Sequence, residues 1–202
     1  MPKIEIIPLR GKQALEYIPA LAKLRIEVFH EFPYLYDGSM DYEEQYLRTY
    51  TSSPDSLIVI AREEEAVVGA STAIPMRDET GEFQQPFLHS QFDINRIFYL
   101  GESVLLKAYR GQGIGVAFFS AREAHAQQVG GFGWYCFCAV ERAADHPLRP
   151  AGYQTLDAFW NRRGYTKHPE LYTYYTWKDI DQNTETQKKM VFWLKKVSQR
   201  GQ

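Results

Sequence analysis

Apolar and polar positions in the first half of the chain follow two different periods. The isoleucine-rich run IEIIPL at 4–9 predicts a strand, since β-branched residues are favoured in sheets. Apolar residues then recur at helical spacing over 19–30, and DYEEQYLRTY at 41–50 predicts a second helix. Two β-branched runs, at 57–63 and 66–74, are separated by a short turn and predict an antiparallel hairpin.

The middle of the chain contains an interrupted strand followed by a glycine-rich turn. Residues 77–96 lack a clear period and contain both glycine and proline, so they predict a long loop or a flap inserted into the domain. IFYLGESVLLK at 97–107 predicts a strand that is interrupted by a bulge at Gly101. After the turn, an apolar stripe predicts a helix from about 113 to 129.

The last third of the chain predicts further strands and one short helix. GWYCFCAV at 133–140 and LYTYYTW at 171–177 are typical of strands, and a helix is predicted over 155–163. KMVFWLKKV at 189–197 alternates and favours a strand, with a C-terminal helix as the alternative. The element order predicts one mixed α/β domain over 1–202, in which both hairpins and crossovers occur.

Composition limits the classes of protein and of partner. The 202 residues are 45% hydrophobic and 24% charged, which allows a buried core and excludes a wholly disordered chain. With a net charge of −2, we expect no general attraction to nucleic acid or to a membrane surface. No apolar window of about 18 residues predicts a transmembrane helix. The first ten residues do not resemble a secretory signal, so we expect a cytoplasmic protein.

The cysteines and histidines predict neither a disulfide nor a metal site. Cys136 and Cys138 lie on one face of a predicted strand, roughly 6–7 Å apart, which is too far for an easy disulfide. Two cysteines do not make a zinc site, and the five histidines show no metal-binding spacing. We therefore expect no metal ion, and two reduced thiols.

The strongest candidate for chemistry is the turn between the interrupted strand and the next helix. Arg110-Gly-Gln-Gly-Ile-Gly115 brings three glycines to the N-terminus of that helix. The first N–H groups of a helix lack intrahelical acceptors, and with the helix dipole they favour a bound anion. Glycines let a phosphate approach the main chain, so the N–H groups from about Gln112 to Val116 are candidate ligands of a pyrophosphate. The alternative is a tight connection whose glycines serve only the turn.

The pattern R-x-x-G-x-G of Arg110, Gly113 and Gly115 resembles the acyl-CoA-binding motif of the GNAT superfamily of N-acetyltransferases. FWNRRGY at 159–165 and the element order over nearly the whole chain are similar to that family as well. The resemblance implies a twisted, mostly antiparallel sheet that splays into a V and is flanked by about four helices. It also implies that acetyl-CoA is the cosubstrate, with its pantetheine in the V. The residues implied to bind it are Val104, Leu105, Arg110, Gly111, Gln112, Gly113, Ile114, Gly115 and Val116.

The same resemblance implies direct attack of an amine on the acetyl thioester. Glu102, beside the predicted bulge, is the candidate base, and Glu141 is the reserve candidate; a structural salt bridge or a surface position is the alternative role of Glu102. The tyrosine usual in the fourth helix of the family is replaced by Trp160, whose indole N–H cannot act as an acid. Tyr153 is therefore the candidate hydroxyl for the leaving thiolate, with packing as its alternative role.

Three functions remain open from the sequence. The first is an acetyl-CoA-dependent N-acetyltransferase acting on a primary amine, with a small molecule favoured over a protein. The others are a non-catalytic acyl-CoA-binding module or sensor, motivated by Trp160, and a nucleotide-binding protein that uses the same turn. Acidic residues of 77–96 suit a cationic acceptor, and they are Asp78, Glu79, Glu82 and Asp93.

The resemblance also gives the expected route of the acceptor amine, which is expected to enter between residues 30–45 and the segment 77–96. The sequence leaves the oligomeric state open, and an exposed final strand could pair across a homodimer. The lysines of that strand are expected in solvent, and they are Lys188, Lys189, Lys195 and Lys196.

Overall fold

The computed structural model describes residues 4–198, which form one eight-stranded sheet and five α-helices. The strands are β1 (Ile4–Arg10), β2 (Leu57–Glu63), β3 (Ala66–Pro75), β4 (Ile97–Tyr99), β5 (Ser103–Leu105), β6 (Trp134–Val140), β7 (Thr166–Lys178) and β8 (Glu185–Lys196). The helices are α1 (Ile18–Phe29), α2 (Met40–Ser52), α3 (Gly81–Leu88), α4 (Ile114–Val129) and α5 (Asp157–Asn161). The sheet order is β1-β2-β3-β4-β6-β8-β7, with β5 also paired to β3. Every pair is antiparallel except β4 with β6, so the predicted mixed, mostly antiparallel fold is confirmed.

Helices cover both faces of the sheet because each strand directs alternate side chains to opposite sides. On one face, Leu21 of α1, Leu47 of α2 and Phe87 of α3 are buried in one cluster with strand residues. On the other face, Phe118 and Phe119 of α4 are buried against the sheet. None of the helices within residues 4–198 is long and apolar enough to cross a bilayer.

The sheet divides at the position where the sequence predicts an interruption. The Leu100 N–H donates to the Cys136 carbonyl over 2.7 Å. After this bond, β5 pairs with β3 alone in the part of the chain that the structure describes. Glycine is required at position 101, because a Cβ there would lie 2.2 Å from the Tyr50 hydroxyl and 2.5 Å from Thr72 Oγ1. β5 and β6 therefore form the two arms of a V, and we call the space between them the split.

The segment 77–96 contains a helix, α3, where the sequence predicts a long loop or flap. Its rings Phe83 and Phe87 are buried in the core, and Phe92 joins them from the following turn. Burial of three phenylalanine side chains outweighs the unfavourable effect of Pro86 inside a short helix. Local propensity does not show this, because the compensation comes from distant strands.

The final strand, β8, lies inside the sheet between β6 and β7. The strand favoured by the sequence over 189–197 is therefore confirmed, but its expected exposure is wrong, since the edges are β1 and β7. Lys188 is buried rather than solvated: its Nζ donates to the Trp177 carbonyl over 2.9 Å and lies 3.3 Å from Asp179 Oδ1. A homodimer stays a prediction, and pairing through the last strand is not available to it.

Candidate active site

The glycine-rich turn is open and leads directly into α4. Gly111 and Gly113 have φ values of 77° and 84°, a left-handed conformation that favours glycine. A Cβ at either position would meet no atom within 4 Å, so no protein group crowds the turn. Among residues 4–198, no acceptor binds the N–H groups of Gly111, Gln112 and Gly113. The turn therefore presents unpaired donors at a helix N-terminus, as an anion site requires.

The next positions along the turn offer unequal donors. Ile114 and Gly115 begin α4, so their N–H groups have no intrahelical acceptor. The Val116 N–H already donates to the Gly113 carbonyl over 3.0 Å. The free amides thus extend from Gly111 to Gly115 and stop one residue earlier than the sequence predicts.

Arg110 connects the turn to the end of α1. Its guanidinium makes two hydrogen bonds to the Glu31 carboxylate, at 2.8 and 3.1 Å, and its Nε donates to the Leu105 carbonyl over 3.0 Å. Both side chains of the ion pair are exposed, so water screens it. A phosphate can compete with Glu31 for this guanidinium, because both are oxyanions that fit the same fork.

β5 directs half of its main-chain groups into the split. The Leu106 N–H donates to the Val68 carbonyl of β3. Since bonding alternates along an antiparallel pair, Val104 also faces β3, and the N–H groups of Ser103 and Leu105 face the split. An extended chain lying in the split can pair with these two N–H groups. The main-chain groups of Val104 face β3 and its side chain is buried, so Val104 has no donor for such a chain.

Arg122 of α4 holds the split in shape. This side chain is buried, and its guanidinium donates to the carbonyls of Thr72 and Glu102 at 3.3 and 3.0 Å and to Ser103 Oγ at 2.9 Å. Burial lowers the pKa of Arg122 to about 10, so it stays charged at neutral pH. One buried cation therefore fixes three oxygen atoms around the break between β4 and β5.

A cavity of about 360 Å³ reaches the split from the side of α1, α2 and β7. Glu102 on one arm of the V and Cys138 on the other both line it, so its inner end lies at the split. Its volume falls in the range of small-molecule pockets, roughly 300–1,000 Å³. Nine aromatic side chains line the cavity, and its tyrosines are Tyr34, Tyr36, Tyr42, Tyr46, Tyr99 and Tyr175.

Arg25 lies between two carboxylates at the inner end of the cavity. Its Nη1 is 2.6 Å from Glu102 Oε1, and its Nε donates to Glu43. Burial lowers the pKa of Arg25, but Glu102 and Glu43 outweigh burial and hold it well above its ordinary value. The guanidinium also lies 5.0 and 4.5 Å from the ring centroids of Phe29 and Tyr46. Because one cation serves two carboxylates, the inner end carries an excess of negative charge.

Another carboxylate, Glu79, is buried behind the cavity. Neither of its oxygens accepts a hydrogen bond of good geometry from the described chain, although the Tyr50 hydroxyl lies beside it. Burial, and after it the charge of Glu102, raise the pKa of Glu79 to about 8. The Tyr50 hydroxyl is 3.1 Å from that of Tyr46, which lines the cavity. Two hydroxyls therefore connect Glu79 to the cavity.

Two other residues of the sequence hypothesis lie outside the cavity lining. Tyr153, in the loop after β6, packs edge-on against Phe32 with ring centroids 4.7 Å apart. Trp160 of α5 packs against the ring of Phe137 at 5.0 Å in the core on the far face of the sheet. Trp160 therefore has a packing role in this cluster.

The remaining acidic candidates are also outside the cavity. Glu141 bonds to Lys167 and Lys189 at the surface, and these hydrogen bonds lower the pKa of Glu141. No acidic residue of the segment 77–96 is part of the cavity lining. The negative charge of the cavity comes instead from the loop before α2, from α2, from the break between β4 and β5, and from β8, through Asp37, Glu43, Glu102 and Glu185.

Sequence reasoning missed Arg25 and Glu43, although each leaves a signal in the sequence. Arg25 stands four residues after Leu21, and Glu43 stands four residues before Leu47, so both fall within apolar helical stripes. A charged residue on a buried helix face needs a partner of opposite charge. Two such residues in successive helices predict a buried ion pair, which the structure shows.

Comparison with known proteins agrees with this geometry. The family model for the acetyltransferase (GNAT) family matches residues 21–153, which include the glycine-rich turn and both arms of the V. No curated protein matches the chain.

Solved structures share the fold over nearly their whole length. An acetyltransferase from Streptococcus agalactiae has a TM-score of 0.59 at 17% identity, over 96% of this chain and 98% of that chain. A Salmonella typhimurium structure, described as an acetyltransferase with its cofactor acetyl-CoA, has a TM-score of 0.58 at 9% identity, over 98% and 96%. A ribosomal-protein-alanine N-acetyltransferase from Brucella melitensis has a TM-score of 0.58 at 15% identity, over 95% and 99%. Because the family model matches residues 21–153, more than half of the 202 residues, this chain belongs to the acetyltransferase (GNAT) family.

Proposed function

We propose that this protein transfers the acetyl group of acetyl-CoA to a primary amine of a small molecule within a ternary complex. The observation that carries the proposal is the split together with what lies at the two ends of β5. The open turn of unpaired amides follows β5, and the cavity reaches the break that precedes it. The moderate volume of the cavity favours a small molecule over a protein. We assign the reaction to the cytoplasm, where thiols such as Cys136 and Cys138 stay reduced.

The chain's own donors fit the cosubstrate that the family uses. Acetyl-CoA supplies the activated thioester. The free N–H groups from Gly111 to Gly115 bind its diphosphate, and Arg110 exchanges Glu31 for a phosphate oxygen. The N–H groups that β5 directs into the split pair with the pantetheine chain and orient the thioester toward the cavity.

Glu102 is the proposed base. Its carboxylate lines the cavity at the split and is oriented by Arg25, so it meets the incoming ammonium where the thioester arrives. The hydroxyls of Tyr46 and Tyr50 lead onward to Glu79, whose ionised form can take up the proton as the pH approaches and passes its pKa of about 8.

Tyr153 is the proposed proton donor to the leaving thiolate. The Tyr34 ring lines the cavity, and its hydroxyl interacts electrostatically with Cys138 and Tyr153. Burial raises the pKa of Tyr34, so this hydroxyl stays protonated in the cavity. A covalent route through Cys138 is unfavourable, because burial raises the pKa of this thiol to about 12.

Release of free CoA thiol tests the proposal. The purified protein is incubated with acetyl-CoA and a panel of primary amines, and thiol formation is followed with a chromogenic reagent. We expect amine-dependent release that saturates with both substrates. Tight binding of acetyl-CoA without release for any amine would overturn acetyl transfer and would favour a non-catalytic acyl-CoA-binding module.

A further inference from the structure

We infer that the cavity selects amines that carry the cationic nitrogen on an aromatic body and lack a carboxylate. The inference rests on the proposed acetyl transfer and deepens it by naming the class of acceptor. Three features of the cavity carry it: an excess of carboxylates, basic side chains that are already paired, and a wall of aromatic rings.

Carboxylates outnumber basic side chains around the cavity by four to two. Glu43 is fully buried, and no donor of good geometry bonds its Oε1, although the Tyr36 hydroxyl lies close by. Glu43 also shares its guanidinium partner, Arg25, with Glu102. Glu43 therefore adds negative charge at the inner end, and the partly exposed Glu102 retains hydrogen-bonding capacity for an ammonium group.

The basic side chains of the cavity are already paired with carboxylates of the protein, so a substrate carboxylate would have to displace one of them. Arg25 lies between Glu43 and Glu102, and Lys178 Nζ lies 2.5 Å from Asp37 Oδ2. The carboxylate of an amino acid would meet excess negative charge without an unpaired cation to neutralise it. An amino acid is therefore expected to bind more weakly than the amine that lacks its carboxylate.

The aromatic wall is rigid and suits a flat apolar body. Phe83 and Tyr175 stack with centroids 5.4 Å apart and an angle of 23° between their planes, and the Tyr42 hydroxyl bonds to that of Tyr175. Ring faces in the cavity already stabilise a cation, since Arg25 lies over Tyr46. An aromatic ring can cover these faces, whereas a short polar chain leaves them in contact with water.

The charged and aromatic groups also define an orientation. Glu102 lies at the inner end, beside the split, and Tyr42 is 43% exposed. The ammonium group therefore points toward the split, where the thioester lies under the proposed function. The ring lies outward, near Tyr42 and Tyr175.

Binding and transfer are measured separately on the full chain with three amines. Calorimetric titration of 2-phenylethylamine, phenylalanine and putrescine, into the protein alone and into the protein saturated with CoA, gives the affinities. Thiol release from acetyl-CoA with the same amines gives kcat/KM. Phenylalanine adds a carboxylate and putrescine removes the ring. We expect 2-phenylethylamine to bind at least about tenfold more tightly than either.

Variants with matched controls test whether the aromatic wall and the carboxylate charge of the cavity cause the selectivity. Tyr42→Ala is expected to weaken binding of 2-phenylethylamine about fivefold. Tyr172→Ala, which removes a tyrosine of equal exposure outside the cavity lining, is expected to leave it unchanged. Glu43→Gln keeps the side-chain size and removes the charge. We expect it to reduce the ratio of the affinity for 2-phenylethylamine to the affinity for phenylalanine. Glu27→Gln, on the exposed face of α1, is its control.

Each outcome decides one question. Equal or tighter binding of phenylalanine or putrescine overturns the inference, and so does the absence of binding by all three amines. Selective binding of 2-phenylethylamine without thiol release overturns acetyl transfer and supports the selectivity. Transfer to all three amines with equal kcat/KM supports acetyl transfer and overturns the selectivity.

Discussion

At the scale of single residues, the left-handed backbone of Gly113 is the feature on which the anion site depends. Valine at this position would be strained because φ is 84°, and crowding plays no part, since a Cβ meets nothing within 4 Å. We expect the turn of Gly113→Val to relax and to displace its N–H groups. Affinity for acetyl-CoA, measured by calorimetry, should then fall about tenfold or more.

Gly130→Val is the matched control for this prediction. Gly130 follows the other end of α4, has a φ of 82°, and its Cβ would also meet nothing within 4 Å. Its ψ of 175° lies in a region that only glycine readily adopts, so valine here should lower the free energy of unfolding by at least as much as at Gly113, about 1–3 kcal/mol, and leave acetyl-CoA affinity unchanged. Equal affinities of the two variants would contradict an anion site at the turn.

Glu79 links stability to pH. Burial, and after it the charge of Glu102, raise its pKa from 4.5 to about 8, and the Thr80 backbone, Tyr50 and Arg25 oppose them. A carboxyl group with a raised pKa stabilises the fold fully below about pH 4.5, and this contribution is lost as the pH rises through about 8. The side chain of Glu79→Gln cannot ionise, so the variant does not lose this contribution. The Tm of the variant minus the Tm of the unmodified protein should therefore rise from pH 4.5 to 8.

Thermal unfolding across that range measures the difference, with Glu65→Gln in the exposed turn after β2 as the control. The control should track the unmodified protein at every pH. A Tm difference for Glu79→Gln that stays constant from pH 4.5 to 8 would show that this carboxyl group does not titrate there.

Glu102→Gln tests the proposed base. At low pH the amine is almost entirely protonated, so removal of its proton limits the rate and the variant should lose about 10²–10⁴-fold in kcat. At high pH more of the amine is already neutral, and the loss should shrink. The measurement is the pH profile of kcat, with Glu65→Gln as the surface control. An unaltered profile excludes Glu102 as the base.

At the scale of elements, α4 carries the amide turn at its N-terminus and supports the split from below through Arg122. Arg122→Met keeps the apolar stem but removes a charged donor from the carbonyls of Thr72 and Glu102, which each keep one backbone N–H donor, and from Ser103 Oγ. We expect the free energy of unfolding, from urea titration, to fall by about 2–4 kcal/mol.

The KM for acetyl-CoA of Arg122→Met should rise as well, because β5 loses its support. Arg48→Met, on the exposed side of α2, removes a guanidinium that holds no such oxygens and should change neither quantity. Normal stability together with a normal KM in Arg122→Met would show that the split is shaped without this side chain.

Elements with uninterrupted patterns could be predicted from the sequence, and elements that depend on distant partners could not. α4 and the hairpin of β2 and β3 follow from local apolar spacing. The sequence predicts a loop in place of α3, because Gly81 and Pro86 dominate the local signal and the two core phenylalanines of α3 are stabilised by contacts with other elements. β8 has a strand pattern, but no local property shows whether a strand lies inside a sheet or at its edge.

At the scale of the whole molecule, the two halves of the site differ in how far the sequence determines them. The amide turn is contiguous, so Arg110 to Gly115 could be found as a motif. The cavity is assembled from α1, α2, β6 and β7, and its charged centre, Arg25 with Glu43 and Glu102, joins three distant segments. Such a site has no spacing signature, and only buried charges within apolar helix stripes point to it.

A crystal structure of the protein with acetyl-CoA tests the central claim most directly. We expect the diphosphate within hydrogen-bonding distance of the N–H groups of Gly111 to Gly115, the pantetheine paired with β5, and the thioester at the split beside Glu102. A diphosphate bound at another surface, or a pantetheine that avoids the space between β5 and β6, would contradict the account.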